Sequence, residues 1–166
     1  MATLKWNRWQ HSSGIGGNVE PEYARKEAGH LRYSESTLFN LTIDLEWVKS
    51  LNTKPELAEK VEAFVSRFGR LQDHLGEKLL PRFANLVGEN TKTLLDTLDF
   101  AEKVGVLDSV DAFIVARKLR NTLVHEYMYD AQVFLESLLA AQQACYLFFS
   151  VIEKTELEIN HLGVQK

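Results

Sequence analysis

The stretch Arg117-Lys118-Leu119-Arg120-Asn121-Thr122-Leu123-Val124-His125-Glu126-Tyr127 gathers the side chains of this sequence that are best suited to chemistry. A histidine with an unperturbed pKa near 6.5 gains or loses a proton around neutrality, so His125 is equipped to act as a base or an acid. Arginine keeps its charge and offers a planar fork that holds two oxygens of one phosphate, so Arg120 is equipped to bind an anion. Asn121 follows that arginine, and Tyr127 lies two residues beyond the histidine. A structural explanation stands beside the chemical one. Arg117, Lys118 and Arg120 fall in the C-terminal half of an expected helix, where cations gain roughly 0.3–1 kcal/mol against the helix dipole, and His125 near the end gains likewise.

The helix that carries these residues is expected to start at Asp108 or Ser109 and run to about Tyr127. At about 100° per residue, Ala112, Ala116, Leu119 and Leu123 share the side facing the core, flanked by Phe113, Val124 and Tyr127. Val110, Ile114, Arg117, Asn121 and His125 form a second stripe of mixed polarity, as an interface or a cleft requires. Arg120 and His125 project about 140° apart, with a rise of roughly 7.5 Å between them. Three devices bring such a pair together: the reach of the arginine, unwinding of the helix near His125, or a second copy of the chain in a symmetric dimer.

The rest of the chain reads as a scaffold. Its 166 residues, 45% of them hydrophobic, suffice for one domain with a real core. Three prolines and nine glycines leave room for long helices. Residues 1–30, with Ser12-Ser13-Gly14-Ile15-Gly16-Gly17-Asn18 and Pro21, lack apolar periodicity and are expected to be a flexible or loosely docked arm, leaving residues 31–166 as the helical domain. Trp6 and Trp9 in that arm need a surface to cover, either the domain itself or a partner. Ser34 is expected to cap a first helix reaching Leu51, through Leu38, Leu41, Leu45 and Val48. Thr53-Lys54-Pro55-Glu56 predicts a capping box and a second helix. Leu57, Val61, Phe64, Phe68, Leu71 and Leu75 form its seam, with Pro81 ending or kinking it and Gly88 closing a short continuation. A third helix through Leu94, Leu98 and Ala101 should stop at Gly105, and Asp130 should cap a last, largely apolar helix. The fold class is therefore all-α: an antiparallel up-and-down bundle of four to five helices.

Composition narrows the setting. A formal charge of −4 and a pI of about 5.7 argue against a general nucleic-acid coat, though not against a local basic site. Cys145 is the one cysteine, which excludes an internal disulfide or a cysteine-based zinc site and fits a reducing, cytoplasmic setting. No stretch is expected to approach the roughly 18 apolar residues of a membrane span. Glu27-x-x-His30 has the spacing used in di-iron bundles, but it lacks a second copy and the further glutamates such a site needs, so no metal or cofactor is expected. Arg67, Arg70 and His74 make a polar ridge on the second helix, more simply a solvated face than an RNA-guiding surface.

The pattern Arg120-x4-His125-x-Tyr127, with Asn121 directly after the arginine and a turn and final helix following, resembles the HEPN domain superfamily, and most of all its HepT-type toxins. The resemblance covers about residues 34–155. It implies a HEPN-like bundle and a dimeric, metal-independent endoribonuclease, encoded beside a nucleotidyltransferase antitoxin. In that relation Arg120 and His125 are the catalytic pair in a cleft between protomers and Asn121 helps to position them. Tyr127 is the residue that the partner enzyme modifies with adenylate, while Arg117 and Lys118 are available to RNA. RNA supplies its own nucleophile, the 2′-hydroxyl, so base, acid and charge-stabilising groups suffice. Two other classes remain open: a non-catalytic partner or substrate-binding module of a nucleotidyltransferase, and a scaffold in which the motif supports packing.

Overall fold

Helix boundaries in this chain follow its proline, glycine and small polar residues. The structure, a computed structural model, describes residues 21–127 and 129–164. The tryptophans Trp6 and Trp9 and the glycine-rich stretch lie outside the described residues.

Helix α1 spans Pro21–Phe39. Proline suits a first turn because its missing N–H has no partner there in any case. Residues 21–30 are thus not arm but the first half of a packed helix, whose Ala24, Ala28, Leu31, Ser34 and Leu38 are buried. Their helical spacing was hidden because two alanines and a serine carry little hydrophobic signal. Ser34 does not cap: its hydroxyl lies inside the helix packing and accepts from Arg67 Nη1 at 2.7 Å. The chain breaks after Phe39, and Asp44 caps the short helix α2, Leu45–Ser50, accepting from Trp47 N at 2.8 Å. The single helix expected over 34–51 is therefore two, because the aspartate captures the backbone donor that would continue the first.

After a 3₁₀ turn at Leu51–Thr53, helix α3 runs over Pro55–His74. Thr53 forms no capping box; its hydroxyl donates back to Ser50 O instead, and Pro55 opens the helix without a side-chain cap. A π-turn at Leu75–Leu79 leads directly into α4, Leu80–Leu86. Pro81 neither ends nor breaks this rod. A prolyl ring clashes with the carbonyl four residues back in an α-helix, and the widened turn just before Pro81 provides the room. Gly88, at φ +88°, terminates it. Helix α5, Leu94–Lys103, is capped by Thr93 and stopped by Gly105 at φ +84°. Helix α6 spans Val110–Glu126 and α7 spans Ala131–Val164. Asp130 caps α7 through Val133 N.

The result is an all-α bundle. In it α1 packs along α3 and α7, and α6 lies between α3 and α7. Of the expected seam, Val61, Phe64, Phe68 and Leu71 of α3 and Leu75 of the π-turn are fully buried, and Leu57 is half-buried. Five rings join the helices in succession: Phe39–Phe64 at 5.2 Å, Phe64–Phe68 at 6.0 Å, Phe68–Phe148 at 5.1 Å and Phe148–Phe113 at 5.9 Å between centroids. Such aromatic contacts tie the end of α1, α3, α7 and α6 into one core. Within Ala131–Gly163, α7 holds a window of 18 residues with a mean hydropathy of 1.3, so it is long and apolar enough to cross a membrane, contrary to the expectation that no stretch comes close. Its Phe134, Leu138, Ala141, Cys145 and Phe148 are buried within the bundle. Burial holds the Cys145 thiol far above its ordinary pKa, which makes it inert packing.

Candidate active site on α6

Helix α6 is firmly anchored at its start. Ser109 Oγ accepts from Ala112 N at 3.1 Å, and the Glu102 carboxylate takes the Val110 N–H at 2.7 Å. Phe113, Ala116 and Leu123 turn inward, with Leu119 and Tyr127 half-buried against the core. The expected inward stripe is rotated slightly: Ala112 is exposed, and Val124 keeps 60% of its surface in solvent. This rotation brings Arg120 to the edge facing α3.

Arg120 donates from Nη1 to Asp73 Oδ2 at 2.7 Å. Its side chain lies flat over Gly69, where a Cβ would come within 2.7 Å of Nε. Asp73 and Gly69, four residues apart on α3, thus position the arginine, and neither stood out in the sequence. The signal was available only across helices, since nothing local ties residue 69 or 73 to residue 120. Beside them a groove of about 410 Å³ opens between α3 and α6. Its walls include Val61 and Val65 on α3, Leu123 and Val124 on α6, and the polar groups of Arg70, Arg120 and Tyr127.

Tyr127 packs edge-on against Phe134 at 5.2 Å. Burial, and then the nearby Glu62 carboxylate, raise its hydroxyl pKa above the ordinary tyrosine value. It is held as the neutral phenol. Arg120 and Tyr127 therefore share one groove. His125, Asn121 and Lys118 do not line it; all three are exposed on the outward side of α6. Arg117 is half-buried, with Nη1 enclosed and without a hydrogen-bond partner among the described residues.

Unwinding near His125 does not occur, because α6 stays helical through Glu126. The histidine remains about 140° around the helix from Arg120. Of the devices considered for uniting the pair, side-chain reach and a second copy are left. On α3, Arg67 is structural, donating to His30 O and Ser34 Oγ, whereas Arg70 turns to the groove and pairs with Glu27 at 3.4 Å. Glu27 is thereby engaged by an arginine.

The fold and the groove define a helical-bundle protein with a positioned arginine. No protein-family model, curated protein or solved structure matches the chain.

Proposed function

We propose that the protein is a metal-independent endoribonuclease toxin of the HEPN/nucleotidyltransferase kind, acting in the cytoplasm as a homodimer. The observation that carries this reading is the arrangement of Arg120: a guanidinium braced by Asp73 and Gly69 at the mouth of a groove that also holds Tyr127. Pre-positioned charge of this kind stabilises the phosphorane-like transition state without reorganising when the reaction occurs.

In the proposed reaction His125 takes the proton of an RNA 2′-hydroxyl, whose oxygen attacks the adjacent phosphorus. The bond from phosphorus to the 5′-oxygen breaks, and His125 of the second copy protonates that leaving oxygen. The products are a 2′,3′-cyclic phosphate and a 5′-hydroxyl, with Arg120 neutralising the charge that builds on the phosphoryl oxygens. Asn121 orients the pair, and Arg117 and Lys118 flank the path of the RNA. The second copy supplies what one helix cannot, because Arg120 and His125 of a single chain face different directions. Exposed Val124 beside the groove, with half-buried Val65, offers that copy an apolar seat. Tyr127 is the acceptor for adenylate from the antitoxin, and such a modification would fill the groove with a bulky anion.

A second reading, a non-catalytic partner or substrate-binding module of a nucleotidyltransferase, is favoured by one observation: Arg120 is already paired with a carboxylate. The deciding experiment is an RNA cleavage assay on the wild type, Arg120→Ala and His125→Ala. Cleavage by the wild type that both substitutions abolish supports the nuclease. Intact RNA with the wild type, together with stable binding of the neighbouring nucleotidyltransferase, supports the partner module and ends the nuclease reading.

A further inference from the structure

Along the α3–α4 rod, Arg70, His74, Lys78 and Arg82 follow one another at intervals of four residues. In an uninterrupted α-helix each such step turns about 40° around the axis, so the four would fan out over about 120°. The π-turn at Leu75–Leu79 holds an extra residue per turn and brings the phase back. All four accordingly line one cavity of about 450 Å³ together with Tyr23, Asp73 and Glu77.

The charges in this cavity do not cancel internally. Arg70 is engaged by Glu27 and Asp73 by Arg120. Lys78 and Arg82 have no ion pair among the described residues, and only Glu77 opposes them. His74 stands at the centre, half-buried, its ring against Tyr23 at 4.5 Å between centroids. Its Nε2 is enclosed and lacks a hydrogen-bond partner among the described residues. Burial and the positive charge of Arg82 lower its pKa. An anion bound here would offset both cations and, through its charge, reduce the resistance of His74 to protonation.

We propose that this cavity is a phosphate subsite in which Lys78 and Arg82, backed by His74, hold a phosphate of single-stranded RNA at one remove from the group at Arg120. The two places are physically joined: Arg70 lines both cavities, and Asp73 lines this one while bracing Arg120. The phosphate chemistry stands on the cavity itself, whereas the RNA as its source rests on the nuclease reading. The subsite gives a chain of acidic overall charge a local purchase on a polyanion.

The test uses the full chain and two probes. The first is a fluorescein-labelled 2′-O-methyl oligoribonucleotide, which lacks the attacking hydroxyl and stays intact. Its affinity, followed by anisotropy against salt, is expected to fall about tenfold or more in Lys78→Ala/Arg82→Ala. The slope of log K against log salt should become shallower by about 1.4, the value for two lost contacts to a single strand. The second probe is inorganic phosphate, read by the His74 C2–H resonance as pH is varied. Phosphate should raise the His74 pKa in the wild type and leave it unmoved in the double variant. Lys78→Ala alone, at an exposed position, repeats the measurement where folding is not in question. Unchanged RNA affinity and slope in the variants, or a His74 resonance indifferent to phosphate, overturns the subsite. A wild type that responds to phosphate but neither binds nor cleaves RNA leaves the anion site standing and overturns its assignment to RNA together with the nuclease.

Discussion

Arg120 rests on Gly69: the arginine crosses α3 at the one point where that helix has no side chain, and a Cβ there would stand 2.7 Å from Nε. Gly69→Ala should therefore displace the guanidinium from Asp73. Alanine favours the helix by about 0.5–1 kcal/mol over glycine, which offsets the crowding of a flexible neighbour. Thermal unfolding should stay within about 1 kcal/mol of the wild type. RNA cleavage should nevertheless fall by about tenfold or more, as expected for a misplaced catalytic group. Equal cleavage by the two proteins would remove Gly69 from the positioning of Arg120.

Tyr127 packs against Phe134 and is the proposed adenylate acceptor, and two substitutions separate these roles. Tyr127→Phe keeps the ring against Phe134, so its melting temperature should hardly change. Co-expressed with the proposed partner nucleotidyltransferase, it should lack the adenylate mass increments expected of the wild type. Tyr127→Ala, which also discards the ring, should cost roughly 2 kcal/mol in a denaturant titration. An adenylate increment that persists in the phenylalanine variant would place the modification elsewhere.

His74 makes stability depend on pH. Its folded pKa lies below the ordinary histidine value of about 6.5 because of burial, then Arg82, with Lys78 adding to the effect and Glu27 opposing it. Below pH 6.5 the unfolded chain takes up a proton that the folded protein still resists, so stability falls as pH drops from 6.5 toward the folded value and then levels off. His74→Gln should flatten that part of the profile in chemical denaturation measured between pH 7.5 and 5. A profile unaltered by the substitution would show that another group controls it.

Phe113 is fully buried, touches Phe148 and approaches Gly76 in the π-turn. Phe113→Ala should cost about 3–5 kcal/mol, as for other large-to-small core changes. Urea unfolding gives the value directly, and a cost below about 1 kcal/mol would mean that the contact of α6 with the core is looser than its burial indicates.

The bundle was readable in the sequence wherever large apolar residues set the period. The seam from Val61 to Leu75, the stop at Gly105, and the caps Ser109 and Asp130 are all local signals. The first half of helix α1 escaped notice because its inward face there is mainly Ala24 and Ala28, and small residues bury closely without raising hydrophobicity. The passage of the rod through Pro81 could not be foreseen, since a π-turn leaves no compositional trace. The motif residues were visible as types and spacing. Their surroundings were not, because Gly69 and Asp73 meet Arg120 only after α3 and α6 have packed.

The ring of Phe148 on α7 closes over both Phe68 and Phe113, and Gln142 and Tyr146 of the same helix reach back to Glu35. Since α7 is the last of the described helices to leave the ribosome, the earlier ones emerge with Phe64, Phe68 and Phe113 uncovered. A nascent chain interrupted before α7 carries the full Arg120-to-Tyr127 motif on an unfinished, aggregation-prone body. The motif therefore gains its supporting core only once α7 has been made and has packed over Phe68 and Phe113.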